Sequence, residues 1–346
     1  MRLPITRTRW VSSTFILVLS TGITAALLLP LDQYGSWSAH IDDKVHGILK
    51  LIVQNPVLND YLVEYFAVTS LLEFCIFFVV ILCAEKLLPA RKTQHILSVG
   101  FRHDFMWFLF YYPYKALVVS IYSVFLYSIY QEQLAFLRIE SINALPLWAL
   151  IIMTILASDF LYWLHHLITH KIQILWYFHT IHHSQREMNL FTNFRSHPFE
   201  IISAYTFRFI PFLSLQPRVA IPTVVVWEVF NRWHARFCHA NIRTDLGWLR
   251  YFLVTPQSHR IHHSLEEKHR DKNFGVIFSI WDRAFGTQYS GHDEYPDTGI
   301  ADQDFPLERT RKASSLFSTP ARQFVYPFRL IFNRLGTAHL AEDKNI

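Results

Sequence analysis

Apolar residues gather in long runs along this chain, with polar residues in short belts between them. Residues 10–30 form the first run, preceded by Arg2, Arg7 and Arg9. The run is long for the apolar part of a secretory leader and no small-residue cleavage site follows it. It therefore reads as an uncleaved anchor. A mixed polar stretch, 31–63, leads to a second run at 65–84. The third run, 105–129, is strongly aromatic and carries Pro113 as a predicted kink. The fourth begins near Leu145 and ends among histidines. Two further runs, 199–216 and 219–237, are broken by Pro211, Pro217 and Pro222, and read as two short spans or one re-entrant hairpin. Such runs approach the roughly 20 residues that cross a hydrocarbon core. The pattern predicts an all-α fold, a polytopic membrane helix bundle. The stretch 315–335 mixes Arg with Phe, Leu and Ile, and reads as a helix lying at the interface or as a packed tail.

The charges between the runs predict an orientation. The N-terminus is basic. The first loop carries Asp32, Asp42, Asp43 and Asp60 against Lys44 and Lys50. The second carries Lys86, Arg91, Lys92 and Arg102, and the third Glu132 and Glu140 against Arg138. Basic loops stay in the cytoplasm. This alternation puts the N-terminus, everything from the first histidines to about residue 198, and the C-terminal region on the cytoplasmic face of a bacterial inner membrane or ER membrane. Three sections follow: an N-terminal anchor region with two transmembrane helices (1–100), a central histidine-rich domain (101–290) and a C-terminal cytoplasmic tail (291–346).

Composition supports the membrane reading. A soluble chain of 346 residues would suggest two domains, but here 51% of residues are hydrophobic and only 17% charged. The net charge of +5 comes from Arg and Lys beside apolar runs, and no nucleic-acid recognition motif accompanies it. Of the three cysteines, Cys75 and Cys83 lie two turns apart in one run and cannot pair within that helix. With Cys238 they read as buried apolar thiols.

Histidine changes the picture most. Twelve of the 19 histidines fall between His165 and His263. Three clusters stand out: His166 and His170; His179, His182 and His183; His259, His262 and His263. Positions i, i+3 and i+4 share a helix face, so each cluster can reach a metal from adjacent turns. The adjacent pairs His182–His183 and His262–His263 diverge by about 100° on a 3.6-residue helix and can serve two metals. Imidazole suits zinc, iron, copper and nickel. No HExxH hydrolytic pattern and no cysteine-rich zinc pattern occurs, and the spacing admits iron or zinc. Besides an oxygenase, a zinc-dependent membrane hydrolase and a metal-binding or transport protein are open readings. A transporter would place its ligands along a path near the midplane, whereas these gather at one face. On the helical stripe of His166 and His170 stand Asp159 and Tyr162. Asp159 is expected to accept the free N–H of a ligating histidine and so to orient it. Glu228, Arg232 and His239 form a similar stripe. Asp271 and Asp282 read as histidine-orienting groups or as helix caps.

The stretch from about Asp104 to Tyr289 resembles the fatty acid hydroxylase and sterol desaturase superfamily. The matching segments begin at Asp159–Phe–Leu–Tyr–Trp–Leu–His–His166–Leu–Ile–Thr–His170 and Leu175–Trp–Tyr–Phe–His179–Thr–Ile–His182–His183. They continue through Arg195–Ser–His197–Pro198–Phe–Glu200, His239–Ala–Asn241, Thr255–Pro256–Gln–Ser–His259–Arg–Ile–His262–His263, and Asp271 to Thr287. The resemblance implies a helical membrane bundle with a cytoplasmic histidine-rich cap holding two irons, zinc substituting on purification. It implies hydroxylation or desaturation of a lipid with O2. Its ligands would be His166, His170, His179, His182, His183, His259, His262 and His263, with His239 a ninth and His197 a further candidate. Electrons would come from a separate donor, a cytochrome b5-like or ferredoxin-like protein or a small reductant. One departure is Leu167, where the family usually has Arg. The extra His165 before it faces away from His166 and reads as a supporting or packing residue.

Overall fold

The computed structural model describes residues 71–133, 140–213, 227, 230–310 and 312–342. The expected span at 10–30, the loop 31–63, the start of the second span and most of 219–237 lie outside these residues. Among the described residues the protein is helical and has no strand. Three isolated bridges, Pro89 to Ile242, Leu253 to Phe278 and Ser264 to Thr298, tie loops together.

Four long helices come first: α1 (Leu71–Leu87), α2 (Val99–Glu132), α3 (Leu147–Lys171) and, after α4 (Gln173–His183), α5 (Pro198–Leu213). Ser98 caps α2 by accepting the Phe101 N–H. One extended residue, Ile172, separates α3 from α4, and its N–H closes on the Ile168 carbonyl. This single-residue break sets the histidines at the end of α3 beside those of α4. A helical stretch, 230–239, follows, then α6 (Pro256–His262), α7 (Ile280–Ala284) and α8 (Ser315–Glu342). Helix α6 starts sharply because Thr255 and Ser258 form a reciprocal capping box with Pro256 just inside it.

Helix α3 packs chiefly on α5 and α4, α2 on α5, and α8 on α2 and α4. The core between α1, α2 and the 184–196 loop is aromatic. Phe191 is its hub, with the rings of Phe78, Phe101, Phe105 and Phe108 5.2–5.3 Å away.

Among the described residues only α3 is long and apolar enough to cross a membrane. The multiple spans expected from the pattern are thus represented here by one. The described part of α1 has 17 residues and α5 has 16. Helix α2 has 34 residues but includes six tyrosines and Lys115, which lower its hydropathy. Both α2 and α3 still present bare apolar side chains, among them Leu109, Phe110, Phe125, Trp148, Ile152 and Met153. Cys238 is buried as expected, whereas Cys83 is exposed on α1.

The region expected to be a tail is docked. Trp107 Nε1 donates to Gln323 Oε1 at 2.9 Å, and Gln323 Nε2 donates to Glu308 at 2.7 Å. Trp107, Ile181, Ile300, Phe305 and Tyr326 form one apolar cluster. His103 of α2 reaches the Ser315 carbonyl.

Candidate metal centre

The nine histidines come together as two adjoining groups. His166, His170, His179, His183 and His262 form one; His182, His239, His259 and His263 form the other. Within each group the candidate ligand nitrogens lie within 4.8 Å of one another. Each adjacent pair is split: His182 and His263 face one group, His183 and His262 the other. The 100° step along a helix does this. The groups touch through the rings of His183 and His263, stacked with centroids 4.3 Å apart.

The hydrogen bonds fix which nitrogen carries the proton. Nδ1 of His166 donates to the Phe274 carbonyl at 2.8 Å and that of His262 to the Lys272 carbonyl at 2.9 Å. Nδ1 of His239 donates to the Ala235 carbonyl at 2.7 Å, and that of His182 to the Arg195 carbonyl at 3.3 Å. His179 Nδ1 meets Glu200 Oε1 at 2.7 Å. A carbonyl can only accept, so these rings are Nδ1–H tautomers with a lone pair on Nε2. Yet Nε2 of His239 and His182 lie 3.0 Å apart, and Nε2 of His166 and His179 3.2 Å apart. Lone pair faces lone pair with no hydrogen between. Protonation does not relieve the His182–His239 contact, because burial and neighbouring rings push His182 well below the ordinary histidine range, and burial pushes His239 to about 4. Nε2 of His170 and His262 are buried without a partner. Converging neutral donors of this kind fit metal cations.

Residues 150–287 match the fatty acid hydroxylase family model. That stretch is a fatty acid hydroxylase domain. The chain is 33% identical over 132 residues to human alkylglycerol monooxygenase, covering 38% of this chain and 29% of that one. The zebrafish (Danio rerio) alkylglycerol monooxygenase is 37% identical over 127 residues, 36% of this chain and 27% of its own. Ornithine lipid hydroxylase OlsE of Rhizobium tropici is 25% identical over 142 residues, 41% of this chain and 42% of that one. The matched stretch thus spans under a third of the alkylglycerol monooxygenases and under half of OlsE. No solved structure matches.

In this hydroxylase domain the supports of the histidines differ from those expected. Asp159 touches no imidazole. Its carboxylate accepts the Ile277 and Phe278 N–H groups, both at 3.2 Å, and Trp281 Nε1 at 2.8 Å. It shares a helix face with His166 but sits about 10.5 Å further down the axis at 1.5 Å per residue. There it meets the 277–281 segment, so the expected bond to a ligating ring is corrected to a backbone clamp. Asp282 clamps the same segment, accepting from Phe274 N, Gly275 N, Trp163 Nε1 and Thr287 Oγ1. Asp271 only pairs with Lys171 at the surface. Glu228 lies outside the described residues. Among the described residues the carboxylate that does meet one of the nine imidazoles is Glu200, whose signal was its place in the Arg195–Glu200 motif at the first turn of α5. His165 bonds Ser203 Oγ at 2.9 Å and belongs to neither group. His197 is set aside as a ligand candidate: it packs among Phe178, Phe199, Phe324 and Phe328, and its Nδ1 accepts the Phe199 N–H.

Arg195 carries the site's deepest ion pairs. Its guanidinium lies 2.8 Å from Asp104 and 2.7 Å from Glu308 and also donates to Ser184 Oγ, while its carbonyl takes His182.

Proposed function

We propose that this chain is an integral-membrane di-iron oxygenase that hydroxylates or desaturates a lipid. The observation that carries this reading is the nine imidazoles, eight of them buried, whose candidate ligand nitrogens converge in two groups. His166, His170, His179, His183 and His262 would hold one metal, and His182, His239, His259 and His263 the other. Bound iron would supply O2 activation and C–H oxidation.

The residues of the chain do the rest. Four main-chain carbonyls and Glu200 keep Nδ1 protonated and turn Nε2 inward, fixing tautomer and ring orientation. Asp159 and Asp282 hold the 272–282 segment that provides two of those carbonyls. His166, His179, His182, His239 and His259 also line a cavity of about 110 Å³, so a substrate carbon placed there would face both groups. Helix α3 and the bare apolar faces of α2 and α3 support a bilayer setting, with the histidine cap cytoplasmic and a separate electron donor docking from that side. The alkylglycerol monooxygenases and the ornithine lipid hydroxylase support a lipid substrate.

Metal analysis of the purified chain, joined to lipid profiling of cells with and without it, tests this. About two iron or zinc ions per chain are expected, falling in the His182→Ala, His262→Ala double variant with loss of an oxidised lipid. Full metal content in that variant would overturn the ligand assignment. Unchanged lipids would overturn the activity.

A further inference from the structure

The cavity beside the histidines is lined by residues carrying three hydrogen-bond acceptors that find no donor among the described residues. They are His165 Nδ1 from α3, Asn231 Oδ1 from the 230–239 stretch and Glu200 Oε2 from α5, each atom buried. That His165 Nδ1 is an acceptor follows from its neighbours. The Ser203 hydroxyl donates its one hydrogen to the Glu200 carbonyl at 3.0 Å, and the Thr169 hydroxyl donates its own to the His165 carbonyl at 2.9 Å. Neither hydroxyl can then donate to the ring. Both stand at His165 Nε2, Ser203 Oγ at 2.9 Å and Thr169 Oγ1 at 3.5 Å. Nε2 therefore carries the proton of the neutral ring, and Nδ1 its lone pair. Glu200 uses Oε1 on His179 and leaves Oε2 bare. His165 is 3% and Asn231 6% exposed, so bulk water does not serve them. Lys115, Arg208 and Arg232 line the same cavity, yet none of them donates to any of the three atoms. Buried acceptors without donors are costly, and a cluster of them calls for an explanation.

We propose that this cavity holds the neutral, hydroxyl-bearing head of the amphiphilic substrate, whose O–H groups donate to His165 Nδ1, Asn231 Oδ1 and Glu200 Oε2. The inference rests on the oxygenase reading and narrows it. All three atoms are acceptors, so the bound group must bring hydrogens; an ester or ether oxygen alone brings none. An ammonium would bring them, but three basic side chains already stand on the same walls and would repel it. His166, His179, His182, His239 and His259 share this lining. A head held by the three acceptors therefore puts the carbons next to its hydroxyls beside both groups of histidines. His165 and Asn231, which belong to neither group, become specificity residues for the substrate.

The test measures binding without turnover. Zinc-loaded full-length protein in neutral detergent is dialysed against labelled 1-O-hexadecylglycerol, its 2,3-di-O-methyl ether or 2-hexadecyloxyethylamine. The methyl ether keeps the chain and every oxygen of the diol and loses only its O–H groups. The diol should bind at least about tenfold tighter than the methyl ether, which would leave buried acceptors unpaired. His165→Phe and Asn231→Leu should each erase most of that preference by weakening the diol. His165→Asn, which can set an amide oxygen where Nδ1 stood, should retain part of it. Equal binding of diol and methyl ether by the wild type overturns the proposal. So does an undiminished preference in both His165→Phe and Asn231→Leu, the result that steric exclusion of the methyl groups would give. The amine binding more tightly than the diol would overturn the assignment to a neutral hydroxyl. Metal content and lipid oxidation report separately on the oxygenase reading, so failure of one is distinguishable from failure of the other.

Discussion

Glu200 is the most informative place to perturb the centre. Of the five Nδ1 partners it is the only side chain; the others are main-chain carbonyls that no single substitution deletes. Its Oε1 sits 2.7 Å from His179 Nδ1, the short distance of a charge-assisted bond. Glu200→Gln can keep an acceptor there but removes the charge. That lowers the bond from the ionic to the neutral class, a difference of about 1–1.5 kcal/mol. The expected result is roughly tenfold weaker metal binding, the lower end of what loss of a supporting partner costs. Glu200→Ala leaves a buried N–H without an acceptor and should approach the upper end, about a hundredfold. Global stability should move less, because half-buried Glu200 contributes otherwise only an acid in the first turn of α5, worth about 0.3–1 kcal/mol.

The assay is a competition titration of ferrous or zinc ion against a chromophoric chelator, with urea midpoints of the metal-free proteins measured alongside. The order wild type, Gln, Ala in metal affinity, with closely spaced midpoints, would support the argument. Wild-type affinity in Glu200→Ala would show that the carboxylate does not orient His179. Affinity lost only in proportion to stability would point to a folding role instead.

Three further outcomes are expected. Asp159→Asn keeps one acceptor for three donors and should cost about 1–3 kcal/mol of stability, read as a lowered urea midpoint; metal affinity lost at an unchanged midpoint would contradict its role as a backbone clamp. Burial alone would push the Glu308 carboxyl up, but Arg195 and Gln323 hold it below the ordinary range. The stability it contributes should therefore be complete above the unfolded value near 4.3 and fade as pH falls through the folded one; equilibrium unfolding of wild type and Glu308→Gln across acid pH should converge at the low end, and parallel curves would refute the linkage. Removing metal with a chelator should lower the melting temperature by several degrees, restored by ferrous or zinc ion, because ligand bound only to the folded state stabilises it; an unchanged melting temperature in protein shown to have lost its metal would speak against converging lone pairs.

The histidine pattern was legible because helical spacing alone dictates which rings can meet. The i, i+4 pair at His166 and His170 falls in one group, and the two adjacent pairs are each divided between groups. His239 belongs to none of the three spaced clusters; its stripe with Glu228 and Arg232 did not single it out as a ligand, which depended on the resemblance. The carbonyls of Phe274 and Lys272 were invisible because main-chain atoms carry no sequence signature and the partners are brought together only by folding. Asp159 was placed on the right face but at the wrong height, since periodicity reports angle around a helix and not which neighbour lies at that level. For 315–335, Arg alternating with Phe suits a lipid interface and a protein groove equally. What decides is Gln323, a polar residue that finds Trp107, Pro306 and Glu308 at one point.

These placements support one half of the centre, the group of His166 and His262, through one segment. Asp159 and Asp282 grip residues 274–281, and the carbonyls of Lys272 and Phe274 orient His262 and His166. Asp271 and Asn273 flank Lys272 in the left-handed region, each with φ of 59°, a conformation that non-glycine residues hold only when surroundings enforce it. Asn273 is so enforced: it donates to the Ser258 carbonyl and accepts from Tyr289 N and Gln288 Nε2. The segment is therefore a rigid bracket, and ring orientation follows from it. All these residues up to Thr287 lie within the stretch shared with the lipid hydroxylases, 150–287. Lys115, Asp104 and Glu308 lie outside it. The clamp on Arg195 therefore joins a residue of the matched stretch to two acids from outside it, and so ties the His182 carbonyl partner to α2 and to the segment leading into α8.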